Sequence, residues 1–175
     1  MLEDGSVYEG TARGDFKETA CEIVFNTSMT GYVEILTDPS YAGQGVVMTY
    51  PMIGNYGISR EDFESERLQP SAFIVHELSS DPSNFRCTDT IENLLKEYNI
   101  PCISGVDTRA VVKKLRESGT MRGVLTSDIG DRERLMDVIK SFRQIDLVGS
   151  VTAKQTKVYG EENTGAEIAL MDFGT

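Results

Sequence analysis

Three cysteines, Cys21, Cys87 and Cys102, and a single histidine, His76, are the side chains from which a covalent mechanism would have to be built. A thiol attacks at neutral pH only where a base, a cation or a helix end lowers its pKa, and no local pattern marks any of the three. Cys21 opens an apolar run and Cys102 lies inside another, so both are predicted to be small core residues. Cys87 follows Arg86 in a polar stretch and is the most exposed candidate. A small cysteine hydrolase built on Cys87 would have only His76 as its base. His76 ends an apolar run beside Glu77, where a hydrogen-bonded structural histidine is the default. One imidazole and no CxxC pair exclude a zinc site, and three widely spaced cysteines do not make a disulfide framework. There is no GxxxxGK[ST] and no GxGxxG opening a helix; Gly43-Gln44-Gly45 precedes a strand pattern instead. Autonomous nucleotide binding is therefore not expected.

Binding chemistry has more to work with. Asn26-Thr27-Ser28-Met29-Thr30-Gly31-Tyr32 and Thr37-Asp38-Pro39-Ser40-Tyr41 are dense in small hydroxyls and turn formers. They read either as two structured turns or as a surface offering hydroxyl and backbone groups to a polar ligand. Asp107-Thr108-Arg109 is a helix cap followed by a first-turn cation. A cation there opposes the helix dipole, which assigns Arg109 a carboxylate partner on this chain or on another. The mixed run from Arg60 to Arg67 and the Lys113-Lys114, Arg116-Glu117 group read as solvated faces.

The elements that position these residues are β-rich first and mixed later. Strands are predicted at 6–9, 22–25, 33–36, 45–50 and 71–76, the fourth being apolar enough for burial on both faces. Asp89 and Glu92 have capping-box spacing ahead of Ile91, Leu94, Leu95 and Tyr98, which predicts a helix over 90–98. A strand follows at 100–104, with Pro101 at an edge or at its start. Asp107 caps a helix striped by Val111, Val112 and Leu115 that Gly119 ends; 121–126 is a strand; Asp131 caps a third helix with Leu135, Val138, Ile139 and Phe142. The fold class is α/β, β-rich, with about three helices. Residues 149–167 have linker composition. Residues 168–175 read as an apolar strand running into Gly174, the opening of a second α/β domain cut short.

The formal charge of −11 disfavours nucleic acid and anionic membranes as partners. No run approaches the ~20 apolar residues of a membrane span, and no secretory signal opens the chain, so a cytosolic (cytoplasmic) protein is expected. From the residues alone, this is a soluble domain with no catalytic constellation of its own.

Read as strings, several segments resemble one family in order. These are Leu2-Glu3-Asp4-Gly5, then Phe25 to Tyr32, then Glu34-Ile35-Leu36-Thr37-Asp38-Pro39-Ser40-Tyr41. Thr49-Tyr50-Pro51, Ile53-Gly54-Asn55, Ser83-Asn84-Phe85-Arg86 and Gly105-Val106-Asp107-Thr108-Arg109 continue it. The family is the carbamoyl-phosphate synthase small chain. The likeness runs to about Ser127 and resumes at Leu170–Gly174, similar to the first strand of a class I amidotransferase domain. The resemblance implies a swivelling β/β/α domain over 1–148, a linker over 149–167, and a glutaminase domain opening at 168–175. In that family a Cys-His-Glu glutaminase releases ammonia from L-glutamine. The ammonia travels through a tunnel to a large subunit, which uses ATP and Mg to make carbamoyl phosphate for arginine and pyrimidine synthesis. This stretch itself would hold no cofactor or metal. One site residue carries over: Ser40, whose hydroxyl would orient glutamine from a turn fixed by Pro39. The glutaminase triad has no counterpart here, so the chain is expected to be inactive alone, and its first strand is expected to be incomplete.

Overall fold

A computed structural model of the chain describes residues 1–14, 16–143, 146–160, 165–166 and 168–174. In chain order the strands are β1 (Thr11–Arg13), β2 (Thr19–Asn26), β3 (Gln44–Met48), β4 (Met52–Ile53), β5 (Ala72–Ile74), β6 (Glu77–Leu78), β7 (Cys102–Ser104) and β8 (Met121–Leu125). The helices are α1 (Tyr32–Thr37), α2 (Ile91–Glu97), α3 (Thr108–Ser118), α4 (Arg132–Ser141) and α5 (Leu147–Val151). Six strands form one sheet in the order β1-β7-β5-β3-β2-β8, and β4 pairs with β6 apart from it. The four inner strands run parallel, while β1 and β8 close the edges antiparallel.

Parallel strands joined by helical crossovers are covered on both faces and need apolar residues on both. β3 and β5 satisfy this by alternation. Val46, Met48 and Phe73 pack toward α1 and α2, among Tyr32, Leu36, Ile91, Leu94 and Leu95. Val47, Ala72 and Ile74 turn to the other face, against Val111 and Leu115 of α3. Leu135 and Ile139 fasten α4 over Val124 of β8. Gly45 lies where strands and side chains crowd together: a Cβ there would sit 2.7 Å from Cys21 Sγ.

The expected α/β class is the class observed, with five helices among the described residues rather than about three. The residues read as a strand at 33–36 form α1 instead. Tyr32, Val33, Ile35, Leu36 and Thr37 are all buried. A short helix buried almost all round is apolar almost all round, so its sequence mimics a buried strand. Gly31 provides the entry with φ of 80°, a left-handed conformation that glycine adopts without a Cβ penalty.

The strand expected at 6–9 is likewise absent. The Asp4-Gly5 turn folds back so that Leu2 bridges Gly123 of β8, and the first strand proper begins at Thr11. That opening turn is tied down by Lys114–Asp4 at 2.9 Å and Arg122–Glu3 at 3.0 Å. The hydrogen bond from Lys114 holds the Asp4 carboxyl at about 2, well below the ordinary carboxylate range.

The N-cap of α2 is Thr90, whose hydroxyl accepts from Asn93 N; Asp89 instead accepts from Thr90 N and Asn93 Nδ2. Pro101 precedes the start of β7, which is an inner strand rather than an edge. Asp107 and Asp131 cap α3 and α4 as expected, each accepting a third-position amide at 2.9 Å.

Candidate ligand-presenting turn

The polar segments flagged in the sequence meet at one end of the sheet. β2 stops at Asn26, whose side chain bends the chain by accepting from Ser28 N at 2.7 Å. The same amide donates to Tyr41 Oη at 2.9 Å, and Asn26 O receives Thr49 N at 3.0 Å. Beyond Gly31, the amides of Gly31 and Tyr32 both donate to Tyr56 Oη, at 2.6 and 3.1 Å. Tyr32 Oη donates to Gly57 O at 2.8 Å, and the two tyrosine rings stack with centroids 4.2 Å apart. Burial pushes both phenols up, so both stay protonated, Tyr32 donating to Gly57 O and Tyr56 accepting the two amides.

α1 then runs into the Asp38-Pro39-Ser40-Tyr41 turn. Pro39 opens a short 3-10 turn whose fixed φ suits it. The Asp38 carboxylate accepts from Ser40 N at 2.8 Å, and Tyr41 N and Ala42 N close back on Asp38 O and Pro39 O. Ser40 is exposed, and among the described residues nothing bonds its hydroxyl. A hydroxyl both donates and accepts, so this one is available to a polar ligand, and its backbone is held at three successive positions.

A second strand of chain braces the turn from behind. Buried Thr37 donates to Val33 O and accepts from Glu64 N, each at 2.9 Å. Ser65 Oγ donates to Thr37 O, Gln69 N to Leu36 O, and Gly43 N to Gln69 O. The charge pattern of residues 60–67 reads as a solvated face, and nothing in it marks this brace. Its partners lie some thirty residues away, as with Thr37 and Glu64, and no local periodicity encodes them. The neighbouring Arg86 was also missed as an organiser: it reaches Asp62 at 2.7 Å, Glu61 at 3.1 Å and Ser59 Oγ.

The covalent candidates are not assembled. Cys21 and Cys102 are buried, and desolvation pushes both thiols up to about 12. Cys87 is half-buried, with its Sγ 3.2 Å from Asp89 O as a donor. His76 Nδ1 lies 3.0 Å from Val106 O. His76 lines a cleft with Thr49, Pro51, Arg109 and α3, and no cysteine is among the lining residues. Arg109 is exposed, and the carboxylate partner expected for it is not found among the described residues. No group of three His, Cys, Asp or Glu side chains among the described residues could hold a metal ion, and none of the described helices is long and apolar enough to cross a membrane. Among the described residues, none of the three cysteines and not His76 is bonded to the turn at 38–41.

The comparisons with known proteins agree with the resemblance. Residues 1–125 match the family model described as carbamoyl-phosphate synthase small chain, CPSase domain. A carbamoyl phosphate synthase small chain from Caldanaerobacter subterraneus is 47% identical over 174 residues, covering 99% of this chain and 46% of the relative. Those of Clostridium perfringens and Archaeoglobus fulgidus are 46% and 48% identical, again over 99% of this chain and 49% of their own length. The chain thus spans about half the length of the curated relatives it matches. With the family model covering residues 1–125 and such identity along nearly its whole length, the chain belongs to the carbamoyl-phosphate synthase small chain family.

Proposed function

We propose that this chain is the N-terminal domain of the small, glutamine-handling subunit of a glutamine-hydrolysing carbamoyl-phosphate synthase. It docks on the large subunit and supplies Ser40 to a glutamine site whose reactive groups belong to a second, glutaminase domain. Ammonia released there passes to the large subunit, where ATP and Mg are used, so that the assembly serves arginine and pyrimidine synthesis. The observation that carries this reading is the braced, exposed Ser40 hydroxyl on a turn without reaction machinery.

The course of the chain after α4 supports it. α5 sits beside the turn, with Leu147 Cδ2 3.0 Å from where a Cβ on Gly43 would lie. Arg67 donates to Ser150 O at 3.1 Å, and Lys157 pairs with Glu66 at 2.9 Å. In this reading the 149–167 linker leaves from beside Gly43, three residues beyond Ser40. Ile168, Leu170, Met171 and Phe173 are all exposed, and the described residues 168–174 form no strand here; under the proposal the run is buried by the glutaminase domain. In this reading residues 1–148 form the docking domain and 168–175 begin the glutaminase domain.

The test is co-purification with the large subunit, combined with a glutaminase assay on the chain alone. Retention of the large subunit with no glutamine hydrolysis is expected. Failure to retain it counts against the docking role, and hydrolysis by the chain alone would revive a freestanding hydrolase at Cys87.

A further inference from the structure

The cleft of about 760 Å³ between the exit of β3 and α3 carries Arg109, Lys113 and Arg116. These positions are four and three residues apart, so they share one face of the helix as a stripe about 10 Å long. All three are exposed, and among the described residues none makes an ion pair. Lys114, one position along, is by contrast paired with Asp4. Lys17, Arg132 and Lys140 are also exposed without an ion pair among the described residues, but none of them lines this cleft. In a chain of net charge −11, cations left without carboxylates and gathered in one concavity need an explanation outside the fold. Arg109 adds to this, because its place in the first turn of α3 opposes the helix dipole, and the Asp107 carboxylate at the N-cap is bonded to Ala110 N rather than to Arg109.

The two carboxylates of the cleft stand at its ends. Asp107 is committed to Ala110 N at 2.9 Å, and Glu117 lies in the last turn of α3. Asp107 takes the Ala110 amide and Val106 O takes Thr108 N, and the Asp107 charge at the helix start repels a phosphate. Pro51 and Val112 give the cleft an aliphatic part, and Thr49, His76 and Thr108 complete its lining. The Lys and Arg side chains of the stripe are long and flexible, so cations spread over about 10 Å of helix can reach carboxylates on alternate residues of an extended segment, about 6.6 Å apart.

We propose that this cleft docks an extended, carboxylate-bearing segment of the large subunit. The inference rests on the reading that the chain binds that subunit. Elsewhere the acidic surface repels such a segment, so the cleft also selects where it lands.

The small chain carrying R109E, K113E and R116E is titrated calorimetrically with the large subunit at about 50 and about 200 mM salt. The expected result is affinity roughly thirtyfold or more weaker at the lower salt, with a flatter salt dependence. The control reverses Lys17, Arg132 and Lys140, which are exposed elsewhere, and stays within about threefold of the parent. Should the reversed variant fail to give a parental melting curve, R109A/K113A/R116A replaces it, with about tenfold weakening expected. Parental affinity in the folded variant overturns the cleft assignment while leaving subunit docking intact. A parent chain that does not bind the large subunit at either salt overturns both.

Discussion

In the two-subunit enzyme proposed for this chain, Ser40→Ala is expected to raise the KM for glutamine roughly ten- to hundredfold, with synthesis from added ammonia within about twofold of the parent. The magnitude follows from what is removed. A hydrogen bond to a charged group of a ligand contributes about 1.5–3 kcal/mol, and glutamine offers both an ammonium and a carboxylate. Nothing else is lost, because the hydroxyl has no partner within the described residues and the bond from Ser40 N to Asp38 belongs to the backbone. An exposed serine of this kind changes stability by no more than about 0.5 kcal/mol. The split between nitrogen donors is therefore diagnostic. If glutamine and ammonia activities fall together, Ser40 acts through assembly rather than by touching glutamine. If neither falls, the domain is purely structural.

Leu36→Ala is expected to cost about 2–5 kcal/mol and to lower the melting temperature by roughly 5–15 °C. Leu36 is fully buried within the cluster that unites α1, α2, β3 and β5. Its carbonyl also receives Gln69 N, so the cavity opens at the point where the brace meets the turn. Leu36→Met keeps the volume and is expected to stay within about 1.5 kcal/mol of the parent. Differential scanning calorimetry on the three proteins decides it. A melting temperature for Leu36→Ala within about 2 °C of the parent would mean that α1 does not seal the core as described.

Much of the fold was legible because local and tertiary preferences agree. The caps at Asp107 and Asp131, the stripes of α3 and α4, and the apolar runs of β3 and β5 all form where their patterns place them. The reading failed where burial overrides periodicity. α1 has too little polar surface to betray a helix, and the residues at 6–9 are held by a turn and a bridge rather than by a strand ladder. At the site, the turn chemistry of Asp38-Pro39-Ser40 was visible, but its brace was not. Thr37 meets Glu64, and Tyr32 meets Tyr56, only after the chain has folded. Arg109 shows the reverse case. The dipole argument marks a cation for a carboxylate partner, and among the described residues that partner is not found.

The most direct test places a reporter at position 40 itself. With Cys87→Ser removing the half-buried thiol, and with Cys21 and Cys102 buried, Ser40→Cys is alkylated in the assembled enzyme with a neutral maleimide. Modification of that peptide is followed by mass spectrometry. Saturating glutamine should slow labelling at position 40 by about tenfold or more, since a bound ligand in contact with the turn excludes the reagent. An unchanged labelling rate would mean that glutamine binds elsewhere and that the turn serves only the architecture of the domain.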